Sequence, residues 1–184
     1  MMRLSIIIPV YNSAKILKKL INEINSNLSV KFDKDYEIIF VNDFSKDNSW
    51  EIIKKISREF NFVKGINLSH NVGQHGAIFV GLKNSTGDRI IIMDDDLQHP
   101  PQSLISIYEQ LDKFDACYTL YIKRKHVFWK IFVSTLNNFF SSFIFDKPFK
   151  IYTSSMKGVR GDVKDRFIDH NPKIPFIDSL ILKQ

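Results

Sequence analysis

A mostly parallel, doubly wound α/β sheet is the architecture this sequence predicts, and three observations predict it. Apolar, largely β-branched runs recur at residues 4–10, 36–41, 62–68 and 90–93. Segments with apolar residues at helical spacing separate them, so strand and helix alternate four or five times without a long interruption. Polar clusters follow the strands: Tyr11-Asn12, Asp43, the loop 70–75, and Asp94-Asp95-Asp96. In sheets of this kind, ligands sit in the crevice beyond the carboxyl ends of the strands.

The first strand is apolar throughout, as a strand buried on both faces should be, and stops at the turn Tyr11-Asn12-Ser13. Asn12 or Ser13 is placed to cap a helix whose stripe is Ile16, Leu17, Leu20, Ile21 and Ile24, with Lys15, Lys18, Lys19 and Glu23 toward water. Residues 36–41 read as a second apolar strand, ending in Asn42-Asp43-Phe44-Ser45-Lys46-Asp47. Asn48 with Glu51 has capping-box spacing, and Trp50, Ile53 and Ile56 supply the next apolar face. The third strand, 62–68, enters a polar loop and then a helix running to about Lys83. The small residues Gly76, Ala77 and Gly81 allow that helix to lie close to the sheet. After a turn at 84–88, the strand from Arg89 runs into three carboxylates and then Pro100-Pro101. Proline at a first helical position costs nothing, so a helix is expected over 101–111, followed by a fifth strand over 116–121. Further on, 151–156 reads as a short strand, 162–168 as a helix and 176–182 as an apolar segment.

Three adjacent anions repel one another unless something positive neutralises them. At the end of a buried strand a divalent metal does so, because hard cations prefer carboxylate oxygen and keep phosphate as a co-ligand. The alternative is a solvated acidic turn. Four polar clusters converging on one rim favour the metal.

Length and composition bound the rest. The chain has 184 residues, 44% hydrophobic and 25% charged, which suits one globular domain rather than a disordered or fibrous chain. Cys117 is the single cysteine, so no internal disulfide framework is possible, as in a reducing cytoplasm. The amino terminus lacks a signal-peptide pattern, and no window has the roughly 18 to 20 apolar residues of a spanning helix. The net charge of +6 falls mostly on residues 101–184, which carry +5. Lys123-Arg124-Lys125-His126 precedes an aromatic stripe of Phe128, Phe132, Leu136, Phe139, Phe140 and Phe143, widened by Trp129 and Val133. A helix over about 123–145 is expected, either as a core element or lying in a membrane interface beside anionic headgroups. Nucleic acid is not expected as a partner, since no base-stacking platform or groove-reading motif accompanies the charge.

Four blocks carry a family resemblance. They are Pro9-Val10-Tyr11-Asn12, the run from Glu37 to Asp47, Asn71-Val72-Gly73-Gln74-His75-Gly76-Ala77 continuing to Gly81, and Met93-Asp94-Asp95-Asp96-Leu97-Gln98-His99-Pro100-Pro101. In this order and spacing the chain resembles the family 2 glycosyltransferases of the GT-A, Rossmann-like fold. Within that family it is most similar to the branch that transfers a sugar from a nucleotide sugar to polyprenyl phosphate, such as dolichyl-phosphate mannose synthase. The resemblance implies that Pro9, Tyr11 and Asn12 border the base and ribose of a UDP- or GDP-sugar, and that Asp43 accepts from the base edge. It extends that donor site to Asp47, Gln74, Asp94 and Asp95, although helix capping explains Asp47 equally well. Asp94, Asp96 and Gln98 are the implied ligands of Mg2+ or Mn2+, with Asp96 the central catalytic carboxylate. His70, His75 and His99 are expected to shape loops or contact phosphate rather than hold a structural metal.

The second half departs from the family pattern. The arginine usual after the fifth strand is replaced near Tyr121, and no carboxylate lies between Asp146 and Asp162. Lys123, Arg124 and Lys130 are the candidate cations for an acceptor phosphate, with Lys157 assisting, and Asp178 is a candidate for an acceptor-side or a structural role. A phosphate acceptor is already anionic and needs no general base, whereas a sugar hydroxyl does. The expectation is therefore one domain over 1–184, with a nucleotide-sugar half over 1–100 and an acceptor half over 101–184. Because the chain ends two residues after an apolar segment, without a cap, that second half is expected to be incomplete. The expected activity is metal-dependent, inverting transfer to polyprenyl phosphate by a cytoplasmic protein peripheral to the plasma membrane. The alternatives are transfer to a saccharide hydroxyl of a nascent glycan, in lipopolysaccharide or capsule synthesis, and a non-catalytic nucleotide-sugar-binding module. A membrane-protein partner or a homo-oligomer is compatible with either half.

Overall fold

The computed structural model describes residues 3–32, 35–97, 100, 102–119, 156–169 and 176–182. Among them are β1 (Leu4–Val10), α1 (Leu17–Phe32), β2 (Tyr36–Asn42), α2 (Ser49–Glu59), β3 (Val63–Asn67), α3 (Gly73–Asn84) and β4 (Arg89–Ile92). Then follow α4 (Gln102–Gln110), β5 (Ala116–Tyr118), β6 (Lys157–Arg160), α5 (Gly161–Ile168) and α6 (Ile177–Leu182). The helix expected over 123–145 and, apart from Met156, the strand expected over 151–156 lie outside the described residues.

The strands form one mixed sheet in the order β3-β2-β1-β4-β6-β5. From β1 the chain winds outward through β2 to β3, then returns to place β4 on the other side of β1, both parallel to it. The gap between the ends of β1 and β4 is thus the point where the winding reverses, which is where a parallel α/β sheet opens a crevice. β6 enters antiparallel between β4 and β5, pairing Lys157 with Ile92 on one side and with Tyr118 on the other. β6 begins at Lys157, and its Gly158 lies close against α4, where a Cβ would lie 2.4 Å from Ile107 Cγ2.

Alternation along the strands divides the core into layers. Ile6 and Ile8 of β1, Ile38 and Phe40 of β2, and Ile91 and Met93 at β4 pack with the buried stripes of α1, α2 and α4. Ile7, Ile90 and Ile92 face the other way, onto Ile78, Phe79 and Leu82 of α3, with α5 and α6 beyond. Gly81 permits the closest approach, since a Cβ there would lie 2.4 Å from Ile7 Cγ2. Gly76, expected to help in the same way, faces only Val72 of its own turn.

Two capping expectations are corrected. α1 starts at Leu17, and neither Asn12 nor Ser13 caps it: the Asn12 side chain accepts from the Lys46 N–H, and the Ser13 hydroxyl donates to the Tyr11 carbonyl. At α2 the N-cap Asn48 makes no side-chain cap hydrogen bond. Asp47 serves there, its carboxylate accepting from the Ser49 N–H at 3.0 Å, from the Ser49 hydroxyl and from the Ala14 N–H at 3.0 Å. Burial alone would push the Asp47 pKa up, but these donors outweigh it and hold it below the usual carboxylate range.

The second strand is not purely apolar, because Glu37 is buried in it. Its Oε1 accepts from the Ser5 hydroxyl at 2.7 Å, the Thr86 N–H at 2.7 Å and the Thr86 hydroxyl at 2.8 Å, and Oε2 pairs with Lys64 at 2.6 Å. The Ser5 hydroxyl in turn accepts from the Gly87 N–H. This network pins the α3–β4 turn beneath the amino ends of β1 and β2, at the opposite end of the sheet from the crevice.

Candidate active site

The crevice is built by three turns at the carboxyl ends of β1, β2 and β4 together with the start of α3. An open cleft of about 480 Å³ there is lined by Pro9, Val10, Tyr11, Asp43, Asn71, Gly73, Gln74, Asp94, Asp95 and Asp96. That volume is in the range of small-molecule sites. Each turn carries a non-glycine residue in the left-handed region: Asn12 at φ +57°, Phe44 at +57° and Leu97 at +58°. Such conformations persist only when neighbours over-determine them, and here they do. The Asn12 N–H donates to the Ser45 hydroxyl at 3.0 Å and its side chain takes the Lys46 N–H at 2.8 Å, so the first two turns are stitched together. Asp43 Oδ1 accepts from the Val72 N–H at 2.7 Å, and the Asn71 amide donates to the Asp43 carbonyl at 3.1 Å, tying the second turn to α3. Gly73, at φ +78°, turns the chain into the helix, a conformation glycine adopts without strain.

The expected donor residues divide in two. Pro9, Tyr11, Asp43, Gln74, Asp94 and Asp95 come together with Asp96 around the cleft, although they span 88 positions of sequence. Asn12 and Asp47 do not line it and instead fasten the turns behind it. For Asp47, the expectation of donor contact gives way to the capping role. Asn71 and Gly73 line the cleft without having been singled out; both belong to the Asn71-Val72-Gly73-Gln74 block, whose signal was already in the sequence. Gln98 and His99 lie outside the described residues, as do Lys123, Arg124 and Lys130.

The three carboxylates are not equivalent. Asp96 is exposed, whereas Asp94 and Asp95 are partly buried. Asp94 Oδ1 accepts the Gln74 side-chain amide at 2.7 Å. Asp95 turns inward, and its Oδ2 is buried with no hydrogen-bond partner. Burial pushes the Asp95 pKa up; the Ser13 hydroxyl and Tyr11 N–H pull it down, and the neighbouring Asp94 and Asp96 push it up again. Among the described residues no lysine or arginine is paired with Asp94 or Asp95. Asp94 and Asp96, flanking that inward-turned carboxylate at the cleft, offer the hard oxygen donors that a divalent cation prefers. Among the described residues, however, no three carboxylate, imidazole or thiol groups converge to hold a metal by themselves.

The acceptor-side candidates Lys157 and Asp178 are corrected by the geometry. Both are buried, and Lys157 Nζ contacts Asp178 Oδ1 at 2.5 Å, so each is engaged with the other rather than presented to the cleft. His75 is half-buried, its ring 4.9 Å from that of Phe176. His70 is exposed, next to the Ser69 hydroxyl.

The family model described as glycosyl transferase family 2 matches residues 5–166 of this chain. The chain belongs to the family 2 glycosyltransferases. Its fold is shared with solved glycosyltransferases of low identity. A mannosyltransferase from Pyrobaculum calidifontis, in complex with GDP-Man and Mn2+, aligns over 90% of this chain and 46% of its own, with 16% identity and a TM-score of 0.66. S. aureus TarS, residues 1–349, in complex with UDP-GlcNAc, aligns over 98% and 53%, with 20% identity and a TM-score of 0.64. Glucosyl-3-phosphoglycerate synthase from Mycobacterium tuberculosis, in complex with Mn2+, UDP-glucose and phosphoglyceric acid, aligns over 88% and 57%, with 13% identity and a TM-score of 0.67. This glycosyltransferase chain therefore spans about half the length of each, and the shared half contains the sheet and its switch-point cleft. The mostly parallel, doubly wound sheet expected from the strand–helix alternation, which the family resemblance identified with the GT-A fold, is the one observed.

Proposed function

We propose that this chain binds a UDP- or GDP-sugar in the β1–β4 cleft with Mn2+ or Mg2+ and transfers the sugar, with inversion, to polyprenyl phosphate at the cytoplasmic face of the plasma membrane. One observation carries the proposal: carboxylates from β2 and β4, an amide from α3 and the turn after β1 meet at the winding reversal of the sheet. Pro9 and Tyr11 border the nucleoside, and Asp43, held in place by Val72 and Asn71, faces the base edge. Asp94 and Asp96, with Gln98, hold the metal against the diphosphate, Asp94 being oriented by Gln74. The bound metal would neutralise the charge that builds on the leaving nucleoside diphosphate. The related structures complexed with GDP-Man, UDP-GlcNAc, UDP-glucose and Mn2+ support the same donor chemistry.

On the acceptor side, the described carboxylates lining the cleft are Asp43, Asp94, Asp95 and Asp96, all on the donor side, and Asp178 is ion-paired in the interior. A sugar hydroxyl would need a free base, whereas a phosphate oxygen attacks as the anion it already is. Lys123, Arg124 and Lys130, beside the aromatic stripe, fit an anionic acceptor at a lipid surface. Peripheral attachment is the proposed mode, supported by the basic cluster 123–126 that precedes the aromatic stripe.

The test is transfer of radiolabelled sugar from UDP-glucose and GDP-mannose, with Mn2+, to short polyprenyl phosphates and to free saccharides. The expected result is label in the lipid fraction, dependent on metal. Label entering only saccharides would end the polyprenyl proposal, and metal-dependent binding without transfer or hydrolysis would leave a donor-binding module.

A further inference from the structure

The short helix α6 and the strand β6 belong by sequence to the half expected to serve the acceptor, yet their buried polar groups meet under the donor cleft. Lys157 opens β6 beside Ile92, two residues before Asp94. It is 4% exposed, its ammonium contacts the 5%-exposed Asp178 of α6, and it lies 5.7 Å from the centroid of the Tyr118 ring. The Tyr118 hydroxyl is buried beside Asp178. Burying two opposite charges is costly unless their geometry is held, so this pair fixes where α6 docks. On its other side α6 packs Ile177 and Ile181 against Ile78, Phe79 and Leu82 of α3. The ring of Phe176, just before α6, packs at a tilt against His75, the third residue of α3, with centroids 4.9 Å apart.

The first turn of α3 is tied at its start to the β2 turn, by Asp43 Oδ1 on the Val72 N–H and the Asn71 amide on the Asp43 carbonyl, and the Asn71 side chain accepts the Gly73 N–H. Its N-cap is Val72, which makes no side-chain cap hydrogen bond, and Gly73 follows with φ +78°. Yet this turn carries Gln74, whose amide holds Asp94 at 2.7 Å. Helix ends without caps fray, and a frayed turn would let Gln74 leave Asp94.

We infer that α6, anchored by the Lys157–Asp178 pair and by Phe176 on His75, is a positioning element for the first turn of α3 and thereby for the Gln74–Asp94 contact. The inference rests on the proposed donor site in taking Asp94 as part of the metal–diphosphate region. It makes residues 176–182 part of the donor machinery rather than of the acceptor side. Asp178 and Phe176 act through Gln74; they touch no substrate.

Two readouts on the full chain test it. Hydrogen exchange of the amides at 77–80, whose helical bonds close the first turn, is measured in Asp178→Asn and in Phe176→Ala, the latter leaving the ion pair intact. Mn2+-dependent binding of UDP and of GDP is measured by calorimetry in the same variants, in Gln74→Ala, and in each variant combined with Gln74→Ala. Exchange at 77–80 is expected to rise roughly tenfold while β1 and β2 amides stay protected. Binding is expected to weaken about fivefold in each single variant and no further when either is combined with Gln74→Ala, the non-additivity of residues acting through one contact. Unchanged exchange at 77–80, or binding losses that multiply in the combined variants, would overturn the inference. If exchange responds while the wild type binds neither nucleotide, the link from α6 to α3 stands and the donor assignment falls.

Discussion

Asp96→Ala is expected to reduce sugar transfer by about a thousandfold, the scale lost when a group that stabilises transition-state charge is removed. Asp96 is exposed at the rim of the cleft. Its loss opens no cavity, so the melting temperature should change little. Nucleoside diphosphate binding measured with Mn2+ should fall toward the level seen without it, because one of the few protein oxygens available to the cation is gone. Binding that keeps its full metal dependence in Asp96→Ala would move the metal site elsewhere. Asp94→Ala differs in kind, since it also releases the Gln74 amide from its acceptor.

The largest effect on stability is expected at Glu37. Its carboxylate, within β2, is 1% exposed. Burial by itself would raise its pKa, but Lys64, the Ser5 hydroxyl and the Thr86 N–H and hydroxyl outweigh burial and hold it at about 2. A folded-state pKa below the unfolded value means that the unfolded chain binds the proton more readily. The stabilisation is therefore complete above the unfolded glutamate pKa near 4.3 and is lost as pH falls from there toward 2, about 3 kcal/mol in all. Glu37→Gln keeps the shape but places an amide N–H2 opposite Lys64 or the Thr86 donors. Urea unfolding of wild type and Glu37→Gln at pH 7, 5 and 3 should show a gap of about 2 to 3 kcal/mol at pH 7 that narrows steadily at pH 3. A gap independent of pH would mean that the carboxylate charge does not carry the interaction.

These two carboxylates show why one end of the sheet was readable and the other was not. Asp96 lies in a run of three acids after an apolar strand, a pattern that fits a cation or a solvated turn, and the other polar clusters at the strand ends tip it to the cation. Glu37 is one polar letter in an apolar strand, and nothing near it reveals that Ser5 and Thr86, 32 and 49 positions away, converge on it. The same division runs through the fold. β1, β2, β4 and the helices α2, α4 and α5 follow from periodicity and come within a residue or two of expectation, because each is specified by its own apolar face. The antiparallel entry of β6 was not legible: Lys157-Gly158-Val159-Arg160 has only one large apolar residue, and its strand character comes from pairing with β4 and β5. Partner choice was equally hidden. Asp47 looked like a donor ligand or a cap with equal force, and only the proximity of Ala14 and Ser49 decides for the cap. Asp178 looked like an acceptor-side carboxylate until Lys157, 21 positions away, was found buried against it.

The cleft itself was legible as separate motifs but not as a geometry. The sequence placed Tyr11, Asp43, Gln74 and the three aspartates at strand ends; the reversal of winding between β1 and β4 brings those ends to one crevice. The strained turns at Asn12, Phe44 and Leu97 left no mark in composition, because glycine is the residue one would look for in the left-handed region and none of the three is glycine.

Metal-dependent capture of a nucleotide sugar in that crevice is the claim on which the rest stands, and calorimetric titration of the wild-type chain with UDP-glucose and GDP-mannose, with and without Mn2+, tests it most directly. Saturable binding of at least one of the two with Mn2+, lost on chelation, is the predicted result. Binding of neither, or binding indifferent to the metal, would contradict it.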